Sequence, residues 1–278
     1  MEEKKLVNFF KTNKPNVCFV GDIHGNFRCL LGIINRINAK DTAFFVCGDC
    51  GFGFEKKEHY NQIFNRLNRK FSSHNCEVFF IRGNHDDPSF FSKRLINRKC
   101  FKTIPDYSIV QTPTHNILCI GGATSIDRMN RIGAYNNNVF EYIKHHKCSI
   151  EEAKSNCRKY YWETESCVYQ EDILSQIKLD NINVDIVCTH TSPSFAKPFS
   201  KSNITEWLTL DKELETDIAN ERNVMDNIYN KLKKDGHSLE KWFYGHFHFH
   251  SSEFIDNTHF VMLDMDRNGN ADFFPLTV

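Results

Sequence analysis

The chain has 278 residues, with 35 Lys and Arg balanced by 35 Asp and Glu, and it carries 13 His and 11 Cys. A 40% hydrophobic and 13% aromatic composition excludes a disordered chain, and zero net charge argues against a surface built to coat nucleic acid. The opening residues mix charges of both signs and every apolar run is of strand length, so neither a secretory leader nor a membrane span is expected.

Along the chain, short apolar runs alternate with helical spacing. Residues 17–21 predict a strand, followed over 26–38 by Phe27, Leu30, Leu31, Ile34 and Ile37 at helical spacing. A second strand over 43–48 precedes a helix over 56–71 with Tyr60, Ile63, Phe64 and Leu67 on one face. A third strand over 78–82 precedes a short helix over 88–96, and residues 117–122 and 184–189 repeat the pattern of an apolar run ending in small or polar residues. Residues 214–232 read as an amphipathic surface helix, and 242–245, 259–263 and 272–274 read as strands. This alternation predicts a layered α/β fold on a largely buried sheet.

Residues 124–168 differ, being rich in Asn, Arg, Lys, Tyr and His without a strong period. They read as a functional or flexible insert in a single domain over 1–278. Within them, Tyr160, Tyr161 and Trp162 either stack on a base or pack beneath the insert, and packing is favoured because large aromatics mainly supply buried area. The odd number of cysteines reads as reduced thiols in a cytoplasmic protein. Cys18, Cys47, Cys119 and Cys188 lie in apolar runs as small hydrophobes. Cys47 and Cys50 have CxxC spacing but no second pair to complete a zinc site.

The informative feature is where the polar residues fall. Asp22-Ile23-His24, Asp49, Asn84-His85-Asp86, His190 and His246-Phe247-His248 each follow an apolar run, four of them beside glycine. In open α/β sheets ligands bind outside the carboxyl ends of strands, so these five segments can converge on one site. Carboxylate and amide oxygens with imidazoles suit two divalent ions, Mn²⁺, Fe or Zn²⁺, and no thiolate is placed to select a softer one. A dinuclear centre of this kind attracts a phosphate dianion and acidifies a bridging water.

Gly21-Asp22-Ile23-His24-Gly25, Gly48-Asp49, Gly83-Asn84-His85-Asp86, His190 and Gly245-His246-Phe247-His248 together resemble the motifs of the calcineurin-like metallophosphoesterases. The resemblance implies a four-layer α/β/β/α sandwich of two mixed β-sheets flanked by helices. It implies that Asp22, His24 and His248 hold a first metal, that Asp49 bridges, and that Asn84, His190 and His246 complete a second. His85 would contact the phosphate and help protonate the leaving oxygen. The implied reaction is hydrolysis of a phosphate ester by a metal-bridging hydroxide.

Arg82 resembles the phosphate-contacting arginine of the protein Ser/Thr phosphatase branch, and otherwise it is a strand-end arginine with its head in solvent. The second motif departs from that branch, reading Gly48-Asp49-Cys50-Gly51-Phe52-Gly53 without the Asp-Arg-Gly that supports the histidine and binds phosphate. Asp86 is one carboxylate available to support His85 instead. The segment Gly121-Gly122-Ala123-Thr124-Ser125-Ile126-Asp127-Arg128-Met129-Asn130-Arg131 is similar to one in bacterial and phage members of the superfamily. Its Arg128 and Arg131 share a helical face, toward a substrate phosphate or in a solvated loop. The preferred reading is a phosphomonoesterase acting on a phosphorylated small molecule, nucleotide or phosphoprotein. A phosphodiesterase or nuclease and a non-catalytic metal-binding scaffold are the alternatives. Long nucleic-acid substrates are disfavoured by the absence of a basic tract.

Overall fold

In chain order, the computed structural model begins with β1 (Asn8–Lys11), β2 (Asn16–Val20), α1 (Cys29–Arg36), β3 (Thr42–Val46), α2 (Lys57–Ser73), β4 (Glu77–Phe80) and α3 (Pro88–Ser92). Then come β5 (Phe101–Thr103), β6 (Ser108–Gln111), β7 (Asn116–Ile120), α4 (Arg128–His146), α5 (Ile150–Asn156) and α6 (Glu171–Leu179). The last part contains β8 (Ile186–Thr189), α7 (Ile204–Leu210), α8 (Leu214–Lys234), β9 (Lys241–Tyr244), β10 (Ser251–Ile255), β11 (Thr258–Met262) and β12 (Phe273–Leu276). The structure describes residues 7–201, 203–265 and 270–276.

Two mixed sheets result. One has the order β12-β2-β3-β4-β5, parallel except for β12, and the other has the order β1-β6-β7-β8-β9-β11-β10. Because side chains alternate along a strand, each sheet presents two apolar faces. Val17, Phe19, Ala43, Phe45 and Phe79 of the first sheet meet Ile117, Cys119, Ile186, Cys188 and Phe243 of the second in an inter-sheet core. Phe19 stacks on Phe243 across it, with centroids 3.8 Å apart. The intervening residues point outward: Cys18, Val20, Phe44, Val46, Val78 and Phe80 pack with Leu30, Ile34, Phe64 and Phe71 of α1 and α2. On the far side Leu118, Val187, Trp242 and Tyr244 pack with Leu174 and Ile177 of α6 and Met225, Ile228 and Leu232 of α8. The architecture is therefore the expected α/β/β/α sandwich.

The same alternation resolves the CxxC spacing. Cys47 lies in the inter-sheet core and Cys50 in the outer one, where its Sγ donates to the Ile81 carbonyl at 3.2 Å. The segment 124–168 is more regular than expected, since it holds α4 and α5. Helix α4 buries only Val139, so it lacks the apolar stripe from which a period is read. Helix α5 starts from Ser149, whose side chain accepts from the Glu152 amide at 3.2 Å.

Candidate metal centre

Every parallel strand whose end carries a motif delivers it to one rim of the sandwich. Asp22 follows β2, Asp49 follows β3, Asn84 and His85 follow β4, His190 follows β8, and His246 and His248 follow β9. Two sets of donor atoms gather there, each set within 4.8 Å: Asp22, His24, Asp49 and His248 in one, Asp49, His190 and His246 in the other. Asp49 belongs to both. In the first set His248 Nε2 stands 3.1 Å from Asp22 Oδ2 and 3.3 Å from His24 Nε2, and His24 Nε2 is 3.7 Å from Asp49 Oδ2. In the second, His190 Nε2 is 3.2 Å from Asp49 Oδ1 and 2.9 Å from Asn84 Oδ1.

The glycines of the motifs permit this crowding. A Cβ on Gly83 would lie 2.1 Å from Asp49 Oδ1, and one on Gly48, whose φ is +97°, would lie 2.1 Å from His190 Nδ1. Four candidate ligands hold left-handed backbone themselves: His24 (φ 40°), Asp49 (φ 44°), His246 (φ 71°) and His248 (φ 54°). For non-glycine residues this costs of order 1–3 kcal/mol each, and it persists only where the surroundings enforce it. Around Asp49 that enforcement comes from Asp86. Its carboxylate accepts the backbone amides of Cys50 (3.0 Å), Gly51 (2.7 Å), Phe52 (2.8 Å) and Gly83 (2.8 Å), locking the β3 and β4 loops together. Burial, and then Asp49, push its pKa up to about 6. Asp86 thus faces inward onto backbone and does not support the His85 ring, correcting one expectation.

The donor set fits cations. The Nδ1 of His190 bonds the Cys47 carbonyl at 2.7 Å, which turns Nε2 toward two oxygens, Asp49 Oδ1 and Asn84 Oδ1. Two oxygens converging on that nitrogen call for positive charge between them, which either a proton on Nε2 or a bound cation supplies. Burial by itself lowers the His190 pKa, yet Asp49 and Asp22 outweigh it and push the value up to about 10. The pocket therefore draws positive charge onto its own histidine.

Several residues without a sequence motif build the surroundings. Asn84 Nδ2 donates to Ser125 Oγ at 2.8 Å, and Ser125 donates to Glu165 Oε2 at 2.6 Å. Burial raises the Glu165 pKa to about 7, against the opposing Ser125 hydrogen bonds. On α8, Glu221 accepts from Thr191 Oγ1 at 2.6 Å and from the Thr124 amide, while Arg222 donates to Ser192 Oγ at 2.9 Å and the Pro198 carbonyl at 2.7 Å. This helix is thus more than the expected surface layer, because it also clamps the loops after β7 and β8. Lys201 Nζ donates to the Thr124 carbonyl at 2.8 Å and touches His246 Nε2.

The three candidate phosphate-binding arginines separate. Arg82 is 6% exposed, with Nε on Asp106 at 2.9 Å and its other nitrogens on the carbonyls of Thr164, Glu165 and Ser166. All its donor nitrogens are taken by protein, so it ties β4 to residues 164–166 and has neither a phosphate-facing nor a solvent-facing head. Arg128 is held by Asp211 at 2.5 Å and Asp217 at 2.6 Å, joining α4 to the α7–α8 region. Only Arg131 reaches the centre. Its Nη2 contacts His85 Nε2 and pairs with Asp127 at 2.8 Å, and its Nη1 is buried without a hydrogen-bond partner. The His85 amide donates to Asp49 Oδ1 at 2.8 Å, and its Nε2 is 3.8 Å from Asp49 Oδ2. Burial, with Arg131 adding to it, brings the His85 pKa down to about 4.

Among the described residues no helix is long and apolar enough to cross a membrane. A comparison with curated proteins returns no match. Among solved structures, the chain is similar to a dimetal phosphatase from Danio rerio (13% identity, 91% of this chain and 88% of that one, TM-score 0.44). It is also similar to a phosphopantetheinyl hydrolase from Mycobacterium tuberculosis (14% identity, 90% and 88%, TM-score 0.41). A third is a cold-active protein-tyrosine phosphatase from a psychrophilic Shewanella (12% identity, 98% and 78%, TM-score 0.39). Residues 15–250 match the family described as calcineurin-like phosphoesterase, a span that takes in all five motifs. On that match the chain belongs to the calcineurin-like phosphoesterases, and it is a hydrolase of phosphoester bonds.

Proposed function

We propose that the chain is a dinuclear-metal phosphomonoesterase, acting on a phosphorylated small molecule, nucleotide or phosphoprotein. The observation that carries this reading is the pair of donor sets sharing Asp49, with a buried guanidinium nitrogen of Arg131 unpartnered beside them. Asp22, His24 and His248 would hold one ion, Asn84, His190 and His246 the other, and Asp49 both. The oxygen and imidazole donors suit Mn²⁺, Fe or Zn²⁺. Bound divalent ions supply Lewis-acid polarisation of the phosphoryl oxygens and lower the pKa of a water.

The chain's own residues do the rest. Arg131 binds two phosphoryl oxygens through Nη1 and Nη2, a bidentate geometry suited to phosphate. Drawn onto the phosphate, its Nη2 leaves His85 Nε2, which can then serve the departing oxygen. The P–O bond to the alcohol breaks as the bond to the water oxygen forms, and the neutral His85 relays to the alkoxide the proton that the water gives up. Such proton transfer contributes typically around 10²–10⁴-fold. All eleven cysteines are free, which supports a reducing, cytoplasmic setting.

A phosphodiesterase is the second reading, favoured by a cavity of 290 Å³ lined by Trp207 and Phe249 beside His246 and His248, room for a second ester substituent. A Mn²⁺-supplemented hydrolysis panel tests the choice. It compares para-nitrophenyl phosphate with its bis-ester, cyclic nucleotides, phosphopeptides and single-stranded DNA, with His85→Ala as control. Turnover of monoesters that falls in the control supports the proposal. Preference for the bis-ester or for DNA moves the assignment to the diesterase, and metal binding without turnover of any ester leaves only a scaffold.

A further inference from the structure

We infer that the cleft between His85 and the aromatic pair Phe54–Tyr160 is a nucleobase subsite for the leaving group, so that the monoester is a nucleoside 5′-monophosphate. This rests on the phosphomonoesterase reading and on His85 as the proton donor. The alcohol receiving that proton must extend past His85, and on that side lies a cavity of 360 Å³. Its size is at the lower end of small-molecule sites, about 300–1,000 Å³.

The walls suit a planar, hydrogen-bonding ring. Phe54 and Tyr160 lie with centroids 6.2 Å apart at 38°, too tilted to be stacked on one another. Phe54 is backed by Trp162, 6.0 Å away and itself 7% exposed, and the loops bearing the pair are clipped together by the Arg158–Glu55 ion pair. Phe54 is therefore backed by a buried ring before a base arrives, which reduces the ordering cost of binding on that side. The opposite wall is one face of α4, where Asn130, Ala134 and Asn138 recur at intervals of four. Two side-chain amides each offer a donor beside an acceptor, the pattern that matches the edge of a base and has no counterpart on a phenyl ring. Small Ala134 leaves the space between them open. Hydrolysis then yields a nucleoside and inorganic phosphate, with the water oxygen on phosphorus and the 5′-oxygen protonated.

The test compares adenosine 5′-monophosphate with ribose 5-phosphate. Both release the same primary alkoxide, so a difference in KM reports the base. Aromatic stacking of a base corresponds to a KM about tenfold or more lower for the nucleotide. Tyr160→Ala should raise the nucleotide KM to the sugar-phosphate value and leave the ribose 5-phosphate constants unchanged, while Tyr160→Phe should behave as wild type. Adenosine alone should bind wild type by calorimetry, and bind Tyr160→Ala at least tenfold more weakly. Equal KM for the two esters in wild type overturns the subsite. So does loss of the preference in Trp207→Ala with Tyr160→Ala unaffected, or preferential hydrolysis of O-phosphotyrosine. Adenosine binding that depends on Tyr160, without hydrolysis of any monoester, would instead overturn the phosphomonoesterase reading and leave a nucleoside site.

Discussion

Asn84 is anchored on Ser125: its Nδ2 donates to the serine hydroxyl at 2.8 Å, which leaves Oδ1 aimed at His190 Nε2, 2.9 Å away. An asparagine side chain is nearly symmetric in shape, so something must decide which end meets the cation. Ser125 decides it, and Glu165 in turn fixes Ser125 by accepting from both its hydroxyl and its amide. Supporting residues of this kind typically cost about 10–100-fold in metal affinity or activity when lost. Ser125→Ala should therefore weaken the second ion by that factor and leave the first unchanged, as read by metal titration. Ser125→Thr should stay close to wild type. Equal weakening of both ions would show that Ser125 acts through general destabilisation.

Asp49 belongs to both donor sets, so its replacement differs in kind from that of any terminal donor. Asp49→Asn should reduce bound metal from two equivalents toward zero, whereas His248→Ala should reduce it toward one. Activity should fall further in the first variant. Elemental analysis of the purified proteins after dialysis reads the stoichiometry directly. Two ions and full turnover in Asp49→Asn would remove the shared-ligand assignment.

Arg82, beside a motif in sequence, and Arg131, beside the centre in space, should separate cleanly in mutagenesis. Arg82→Ala removes the partner of Asp106 Oδ2 and of three carbonyls and leaves a buried void, while Asp106 Oδ1 keeps the Gly121 amide, so the cost should fall at or below the ~3–5 kcal/mol of a fully buried pair. The urea midpoint should fall accordingly. Arg131→Ala removes a guanidinium that binds little besides Asp127 and His85, so stability should change by less than about 1 kcal/mol. Its effect belongs to kcat/KM, which should drop about 10–100-fold, the equivalent of lost charge-assisted hydrogen bonds worth about 1.5–3 kcal/mol. Substantial unfolding in Arg131→Ala with normal kinetics in the surviving fraction would reverse the two roles.

The contrast between those arginines marks the limit of what the chain reveals before folding. Asp22, His24, Asp49, Asn84, His190, His246 and His248 were legible because each directly follows an apolar strand and the order of the five blocks is specific. The strands themselves were legible for the same reason, being continuous apolar runs buried on both faces. Arg82 shares that position, yet its partners Asp106 and Glu165 lie 24 and 83 residues away. Nothing local announces them. Ser125, Glu165, Glu221 and Lys201 are likewise ordinary polar residues whose meaning comes only from what the sandwich brings beside them. Helix α4 was obscured because it faces solvent along most of its length. Helix α5 could have been found, since Ser149 and Glu152 have the spacing of a capping box.

A pH effect on stability should arise far from the metals, at His237. This side chain is 7% exposed; its Nδ1 accepts from the Val184 amide at 3.2 Å, while its Nε2 is buried without a partner. Burial is the main cause that lowers its pKa, with Lys178 and Lys231 acting in the same direction and Asp235 against them. The folded chain therefore holds His237 neutral at pH values where the unfolded chain, titrating near the ordinary value of about 6.5, takes up a proton. With more protons on the unfolded state, stability falls as pH falls. The contribution is complete above about pH 6.5 and is lost progressively below it. His237→Asn keeps an acceptor for the Val184 amide and removes the titration. In EDTA, where the metal ligands are protonated alike in both proteins, the Tm difference between variant and wild type should shift in favour of the variant between pH 7.5 and 5.5, a window chosen to bracket the ordinary histidine pKa of about 6.5. Parallel Tm curves across that range would mean that His237 opens to solvent and titrates freely in the folded chain.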